Sequence, residues 1–341
     1  MLILAIESSC DESAIAIYGS KTSKAPSLLV SLVASQIELH RNLGGVVPEL
    51  ASRNHTIALP PLVKKALEKA EVRTEDLTAI AATGGPGLAS SLMVGHAFAK
   101  GLALATDRPF LSINHMEGHL LSPFLGEKEI PPHLALVVSG GHTMLVHVEA
   151  PGRYRLLGQT IDDAAGEAFD KAARMLELPY PGGPEIEKLA HLGDPTAFDL
   201  PRSLLKEPHF NFSFSGLKTA FLYTIEKLPN PRERLADLCA SFQAAVSDVL
   251  IEKSLRAAKK HHLSLITLSG GVSCNQTLRK QFAARCQTNN LTFHSCSSQL
   301  STDNAAMIAY AASHRDSNCD RDDLLLDISP NLPLPYLSNT P

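Results

Sequence analysis

Three observations predict that this sequence folds as an α/β protein of two lobes. The chain has 341 residues, whereas one globular domain usually takes about 100–200. A strand–turn–strand pattern occurs near the start, and the same pattern returns near residue 134. After each copy, apolar runs of strand length alternate with longer amphipathic stretches, which is typical of an α/β fold.

The hydrophobic pattern predicts the elements of the first half in order. Two apolar runs, residues 2–6 and 14–18, flank a polar turn and predict a strand hairpin. Apolar residues recur at helical spacing between residues 59 and 70, so a helix with one buried face follows. We then expect a strand at 78–82, a helix from the glycines at 84–87 to about residue 105, and a strand at 110–113.

The second half repeats this plan. Runs at 134–138 and 143–148 form the second predicted hairpin, around Ser139-Gly140-Gly141-His142. We expect helices at 167–177, 215–227 and 234–260, a strand at 265–268 before Ser269-Gly270-Gly271, a helix from Asn275, a strand at 291–294 and a last helix from about Asp303.

The predicted lobe boundaries follow from this order of elements. Residues 1–120 are expected to form lobe I, with residues 303–328 packing back on it, and residues 121–302 are expected to form lobe II. Residues 329–341 are a proline-rich tail, expected to wrap the surface or to be mobile.

Composition excludes several classes of protein. With 44% hydrophobic and 19% charged residues the chain is far from disordered composition, and a net charge of −4 gives no overall signal for nucleic acid. The six cysteines form no C-x-x-C pair, which argues against a disulfide scaffold or a zinc ribbon. The apolar start lacks the basic region of a signal peptide, and no apolar run approaches the ~18 residues of a membrane helix. We therefore expect a cytoplasmic protein.

Small residues follow three predicted strands, at Ser8-Ser9, Ser139-Gly140-Gly141 and Ser269-Gly270-Gly271. Without a Cβ, backbone N–H groups at such turns can approach phosphate oxygens closely. One such turn is usually only structural, but three at corresponding positions indicate nucleotide binding, which we expect between the lobes. The chain has neither a P-loop nor a G-x-G-x-x-G sequence.

Two histidines have the spacing of a metal site. His115 and His119 are four residues apart, which places both imidazoles on one face of a helix. Glu117 points elsewhere on that helix, which argues against a zincin site. Asp303, at the head of the last helix, is a candidate third ligand, and two histidines with one carboxylate suit Fe(II) or Zn(II). The alternative is two histidines on a solvated face.

Acidic residues cluster beside the turns. Asp11 and Glu12 lie in the first hairpin, and a second group precedes and enters one helix, at Asp162, Asp163, Glu167 and Asp170. Carboxylates beside a phosphate site commonly bind a metal or ribose, or accept a proton. The alternative is helix capping or solvation, and capping is equally an alternative for Asn275.

Ten stretches, in order over about residues 1–315, closely resemble the TsaD/Kae/Qri family of tRNA adenosine threonylcarbamoyltransferases. They are IESSCDES, GGVVPELASRNH, TGGPGL, NHMEGHLLSP, LVVSGGHTML, DDAAGEAFDKAARML, YPGGP, FSFSGLKT, LSGGVSCNQTLR and STDNAAMIAYA. Asn114 stands where some members of the family have another histidine, and we do not expect it to be a ligand.

The resemblance implies an actin/hexokinase-like fold with an RNase H-like sheet in each lobe. It implies transfer of a threonylcarbamoyl group from threonylcarbamoyl-AMP to N6 of adenosine 37 in tRNAs that read codons starting with A. The implied metal ligands are His115, His119 and Asp303, holding one divalent ion, with Fe(II) expected first and Zn(II) as the alternative. Asp11 and Glu12 match the catalytic hairpin. The implied substrate contacts are Val137, Val138, Ser139, Gly140, Gly141, Asp170, Gly183 and Asn275.

The resemblance also implies partners: tRNA, a TsaB-like protein, a TsaE-like ATPase and a TsaC-like enzyme that makes the adenylate, with a homodimer as a further option. Candidate tRNA phosphate contacts are Lys64, Lys65, Lys206, Lys218, Lys259, Lys260, Arg279 and Lys280. Three alternatives stay open at this point: a metalloprotease, a nucleotide-gated binding module of the Hsp70/actin class, and a small-molecule kinase.

Overall fold

A computed structural model describes residues 1–22, 25–41, 43–127, 129–315 and 324–335. The first part of the chain forms β1 (Leu2–Glu7), β2 (Glu12–Gly19), β3 (Ser27–Ser35), α1 (Ile37–Arg41), α2 (Pro48–Ala70), β4 (Ala79–Gly85), α3 (Ala89–Thr106), β5 (Phe110–Asn114) and α4 (His115–Leu121). It continues with β6 (His133–Val138), β7 (Thr143–Ala150), β8 (Arg153–Gln159), α5 (Ala165–Met175), α6 (Gly182–Ala190), α7 (Ser215–Glu226), α8 (Leu235–Lys260), β9 (Leu265–Ser269), α9 (Gln276–Thr288), β10 (Thr292–Ser295), α10 (Ser298–Ser301) and α11 (Ala305–Ser313).

The chain divides into two compact units. Unit 1 comprises Met1–Ile130 and Asp303–Pro341, and unit 2 comprises Pro131–Thr302. The first boundary falls at residue 130 rather than at the expected 120, because the residues after α4 still pack in unit 1. Phe124 is buried there, and the carbonyl of Glu127 accepts a hydrogen bond from the Tyr310 hydroxyl of α11 at 3.4 Å.

Each unit is built on a five-stranded sheet of the same topology. In unit 1 the strand order is β3-β2-β1-β4-β5, and in unit 2 it is β8-β7-β6-β9-β10. In both sheets the first three strands pair antiparallel and the last two join in parallel. The central strand of each sheet, β1 or β6, is buried along its whole length. The predicted duplication of hairpins is thus a duplication of whole sheets.

Helices cover these sheets with apolar side chains. In unit 1, α2 and α3 contribute Leu59, Val63, Ala66 and Ala99 to the core around β1 and β4. In unit 2, the long helix α8 runs through the core beside α5 and α7. None of the described helices combines the length and apolar character that crossing a bilayer requires.

The described part of the C-terminal tail, residues 329–335, lies against unit 1. Ser329 N donates to Gly84 O at 2.8 Å, and Leu334 is 3% exposed. Of the two expectations for the tail, wrapping the surface therefore describes residues 329–335. Residues 336–341 lie outside the described part of the chain.

Candidate functional site

The three predicted metal ligands come together in unit 1. Strand β5 leads directly into α4, so His115 is the first helical residue and His119 follows one turn later. Asp303 precedes α11, which packs against α4 at Gly118; a Cβ on Gly118 would lie only 3.0 Å from Met307. Asp303 Oδ1 lies 3.1 Å from His119 Nε2 and 3.5 Å from His115 Nε2.

These separations fit one bound ion. The ligand atoms of His115, His119 and Asp303 lie within 4.8 Å of one another. An ion bound at about 2.0–2.1 Å from each ligand holds neighbouring ligand atoms roughly 3–4 Å apart. The two imidazole rings are almost perpendicular, at 89°, and their Nε2 atoms share one carboxylate oxygen. Both histidines are buried while Asp303 keeps 23% of its side chain exposed, so a substrate can reach the position between them.

Glu7, which the sequence analysis did not single out, supports this group from behind. It ends β1, is fully buried, and lies 3.1 Å from His115 Nδ1. It also accepts hydrogen bonds from Ser9 N and Thr83 Oγ1, each at 2.5 Å. A carboxylate that accepts the Nδ1 proton fixes the imidazole with Nε2 toward a metal. The sequence signal was a charged residue that closes an otherwise apolar strand.

Charges in this group are tightly balanced. Burial by itself lowers the pKa of His115, but the carboxylates of Asp303 and Glu7 outweigh it and raise that pKa to about 10. Burial works to raise the pKa of Asp303, yet the neighbouring His115 and His119 bring it well below its usual range. Burial likewise opposes the effect of His115 on Glu7, whose pKa is also lowered. The two carboxylates are therefore ionised and attract a cation.

The acidic residues Asp11 and Glu12 lie in unit 1 at the turn between β1 and β2. Glu12 Oε1 accepts a hydrogen bond from Ser35 Oγ at 2.8 Å. Glu12 Oε2 is buried and has no hydrogen-bond partner among the described residues. Burial is the main cause that raises the pKa of Glu12 to about 7, although Ser35 opposes it. Glu12 can thus exchange a proton near neutral pH.

His55 of α2 holds this acidic turn in place. Its Nε2 lies 3.0 Å from the Cys10 carbonyl, and its Nδ1 lies 2.7 Å from Ser13 Oγ, so the ring contacts both ends of the turn. Gln36 adds a backbone bond, because its N–H donates to Asp11 O at 3.1 Å. These contacts explain why a buried histidine occurs in the segment SRNH.

The candidate substrate residues all lie in unit 2. The turn between β6 and β7 is closed by Ser139 N, which donates to His142 O at 2.8 Å. Gly140 and Gly141 are exposed, and a Cβ on either would meet nothing within 4 Å. A ligand can therefore approach the backbone here, as the sequence predicts. Val137 and Val138 have no exposed surface, so their side chains belong to the core and only position the turn.

Of the other three residues, Asp170 lies in α5, Gly183 in the first turn of α6, and Asn275 directly before α9. Asp170 Oδ1 accepts from Gly182 N at 2.7 Å, and Asp170 also hydrogen-bonds the backbone of Gly183, so it caps α6. Burial raises the pKa of Asp170. Asn275 caps α9 through Leu278 N at 2.8 Å and donates to Gln243 Oε1 at 2.7 Å. The capping alternatives considered for Asp170 and Asn275 are thus present in the structure, and capping leaves a ligand role open.

Two of the basic residues considered for tRNA are engaged inside unit 2. Lys218 forms an ion pair with Asp163 at 2.8 Å. Arg279 donates to Cys296 O at 2.9 Å and to Ser301 Oγ at 2.8 Å. Both side chains are therefore held in place by contacts within unit 2. The remaining six are exposed: Lys64, Lys65, Lys206, Lys259, Lys260 and Lys280.

Comparison with known proteins points to one family. The TsaD family model, described as tRNA N6-adenosine threonylcarbamoyltransferase, matches residues 27–310. A relative of that name from a Polaromonas species is 49% identical over 317 residues, covering 92% of this chain and 91% of the relative. Another, from Syntrophotalea carbinolica, is 47% identical over 337 residues, covering 98% of this chain and 97% of the relative.

Solved structures bear on the fold alone. T. kodakarensis HypF superposes with a TM-score of 0.62 at 14% identity, over 91% of this chain and 47% of HypF. Component A of the Acidaminococcus fermentans (R)-2-hydroxyglutaryl-CoA dehydratase gives 0.51 at 14% identity, over 92% of this chain and 98% of that protein. With the two helix-flanked mixed sheets described above, these similarities confirm the predicted actin/hexokinase-like fold.

Proposed function

Because the chain belongs to the TsaD family of tRNA N6-adenosine threonylcarbamoyltransferases, we propose that it transfers the threonylcarbamoyl group of threonylcarbamoyl-AMP to N6 of the adenosine 3′ to the anticodon, in tRNAs that read codons starting with A. The N6–carbon bond forms, the bond from that carbon to the phosphate oxygen breaks, N6 loses a proton and AMP leaves. Together with family membership, the observation that carries the proposal is the convergence of His115, His119 and Asp303.

The chemistry explains why such a site is needed. The lone pair of an adenine amine is delocalised into the ring, so the amine is a weak nucleophile and the donor must be activated and held in register. Holding both reactants in register can contribute more than any single proton transfer. The mixed anhydride with AMP supplies the leaving group.

We assign His115, His119 and Asp303 as the residues that hold a divalent ion, with Fe(II) expected first and Zn(II) as the alternative. When bound, such an ion would supply Lewis-acid chemistry to the transfer. Glu7 fixes the ring of His115 so that Nε2 faces the ion position. Glu7 is thus a positioning residue of the site.

Proton transfer is assigned to the acidic turn. Glu12 is the better candidate for the base that accepts the N6 proton, because burial raises its pKa to about 7. A base whose pKa lies near the working pH is the most effective. Asp11, beside it and partly exposed, is assigned to positioning the donor.

Binding of the adenylate is assigned to unit 2. The exposed backbone at Gly140 and Gly141 can donate N–H groups to phosphate oxygens, which no side chain there obstructs. Asp170 and Asn275 fix the starts of α6 and α9. Gly183, in the first turn of α6, likewise leaves its backbone open, since a Cβ there would meet nothing within 4 Å.

We also propose that the protein works in the cytoplasm with partners, as the family resemblance implies: a TsaB-like protein, a TsaE-like ATPase and a source of the adenylate, with a homodimer as a further assembly. The net charge of −4 and the internal bonds of Lys218 and Arg279 support assistance in binding tRNA. Assays are therefore to be run with and without partner proteins.

The test is the formation of the modified nucleoside. Purified protein is loaded with Fe(II) or Zn(II) and incubated with threonylcarbamoyl-AMP and unmodified tRNA, and the digested nucleosides are measured by mass spectrometry. We expect the threonylcarbamoylated adenosine with the wild type, and its loss with Asp303→Ala together with loss of bound metal at an unchanged fold. His191→Ala, an exposed histidine of unit 2, is the matched control. Full activity of metal-free Asp303→Ala would refute the metal assignment.

A further inference from the structure

Residues 324–335, here called the C-terminal segment, run across the turn that follows β4 in unit 1. Ser329 N donates to Gly84 O at 2.8 Å, and Gly87 N donates to Pro330 O at 3.0 Å. Leu334 anchors the end of the segment and is 3% exposed. The segment is therefore fastened to the TGGPG sequence by backbone bonds in both directions.

Gly85 shows how closely the C-terminal segment approaches the backbone of the TGGPG sequence. Its φ is +147°, a conformation that other residues rarely adopt. A Cβ on Gly85 would lie 1.9 Å from the Ser329 carbonyl oxygen and 2.9 Å from Leu332 Cβ. The glycine is thus required where the C-terminal segment contacts the backbone, and this contact gives the TGGPG sequence a structural role that the transfer chemistry does not explain.

Asn114 connects this segment to the helix that carries the metal ligands. Its Oδ1 caps α4, accepting from Met116 N at 2.9 Å and from Glu117 N at 3.4 Å. Its Nδ2 donates to Pro333 O at 3.0 Å and to Leu332 O at 3.4 Å. The reversed amide would place NH₂ against N–H groups and oxygen against carbonyls, so the network fixes this orientation. Asn114 immediately precedes His115.

The segment also contacts Gly84, the neighbour of a residue that hydrogen-bonds Glu7. Thr83, next to Gly84, donates to Glu7 Oε2, and that oxygen lies 3.1 Å from His115 Nδ1. Asn114 precedes His115 in the chain, and Glu7 contacts its ring. Asn114 hydrogen-bonds the C-terminal segment directly, and Glu7 hydrogen-bonds Thr83, which is next to the Gly84 that the segment contacts.

We propose that the C-terminal segment braces the metal site, and that Asn114 is the positioning residue that transmits this brace to His115 and His119. The inference rests on the proposed metal ligands. Outer contacts of this kind typically change metal affinity by about 10–100-fold when they are removed.

The test uses the full chain and binding of Zn(II) and Co(II), so it does not depend on transfer activity. Asn114→Asp keeps an oxygen for the helix N–H groups but sets a carboxylate against the carbonyls of Leu332 and Pro333. Leu334→Asp detaches the segment by burying a charge. Leu325→Asp makes the same change at a position of the segment that is 87% exposed, and serves as control.

We expect Asn114→Asp and Leu334→Asp each to weaken Zn(II) binding by about 10–100-fold and to alter the visible absorption of the Co(II) protein. The control is expected to change neither. The double variant is expected to bind no more weakly than the worse single variant, since both changes break one connection. A purely structural role would lower the unfolding temperature of the metal-free protein and leave the Co(II) spectrum unchanged.

The outcomes separate the two proposals. If the wild type binds metal and Asn114→Asp binds it equally well with the same Co(II) spectrum, the brace is refuted and the metal site stands. Fully additive effects in the double variant would also refute it. If the wild type binds no Zn(II) or Co(II), both proposals fall. Should Leu334→Asp fail to fold, Asn114→Asp decides alone, because it retains the helix cap.

Discussion

Glu7→Gln tests whether a buried carboxylate behind the ligands sets the metal affinity. The two oxygens of Glu7 accept from three donors: Ser9 N, Thr83 Oγ1 and His115 Nδ1. Glutamine has nearly the same shape but only one acceptor oxygen. If its NH₂ takes the Oε1 position it faces the Ser9 N–H, and if it takes the Oε2 position it faces His115 Nδ1. Either orientation leaves at least one buried donor without its acceptor.

The size of the effect follows from those contacts. A buried donor left without a partner costs about 1–3 kcal/mol of unfolding free energy. Loss of the carboxylate behind a ligating histidine typically weakens metal binding by about 10–100-fold, which is about 1.4–2.8 kcal/mol at 1.4 kcal/mol per factor of ten. Both effects have the same sign, because the lost charge attracts the cation and orients the ring that binds it.

The assay is a competition titration of Zn(II) against a chromogenic chelator, with denaturant unfolding of the metal-free protein in parallel. Glu49→Gln, at a side chain 75% exposed on α2, is the matched control and is expected to change neither quantity. If Glu7→Gln bound Zn(II) within about twofold of the wild type, the outer-carboxylate effect expected from typical metal sites would not operate here.

Three further predictions concern the proposed transfer. The single-turnover rate is expected to rise as pH increases through about 7, because the ionised carboxylate of Glu12, whose pKa is raised, is the active form. Glu12→Gln is expected to lower this rate by about 10²–10⁴-fold and to flatten the pH profile. An unchanged profile would assign the base to another residue. Asp11→Ala is expected to slow transfer more than it weakens adenylate binding, and an unchanged single-turnover rate would remove Asp11 from the catalytic residues. Gly140→Ala is expected to weaken adenylate binding without lowering the unfolding temperature, since its Cβ meets no protein atom within 4 Å; an unchanged Kd would place the phosphate away from this turn.

The sequence predicted the helices and strands that have a regular hydrophobic pattern. It failed for strands whose side chains are partly buried and partly exposed. Both hairpins and the long helix α8 appear within a few residues of their expected positions. The third strand of each sheet was not predicted. β3 is partly exposed along most of its length, and β8 alternates Arg153, Tyr154 and Arg155 without a continuous apolar face. Helix α6 begins with two glycines and a proline, which resemble a turn.

The site shows a similar division between local and distant contacts. The pairing of His115 with His119 follows from helical geometry, which a spacing of four residues already contains. Asp303 is 184 residues from His119, and Glu7 is 108 residues from His115. Sequence spacing says nothing about such distances, so Asp303 was named from its place at the head of the last helix and from the family resemblance, and Glu7 was missed. Asn114 is not expected to be a ligand, and its contacts with residues 332 and 333 depend on the fold.

The duplicated sheet places the same turn at the same point in both units, but one turn carries acidic side chains and the other carries none. In unit 1 the turn after the central strand carries Asp11 and Glu12, whereas in unit 2 the equivalent turn carries Gly140 and Gly141. Paired carboxylates repel a phosphate, while exposed backbone N–H groups attract it. We therefore assign the adenylate phosphate to the glycine turn, and the proton to the acidic turn. The fold supplies two equivalent positions, and only the residues placed on them decide which one binds the anion.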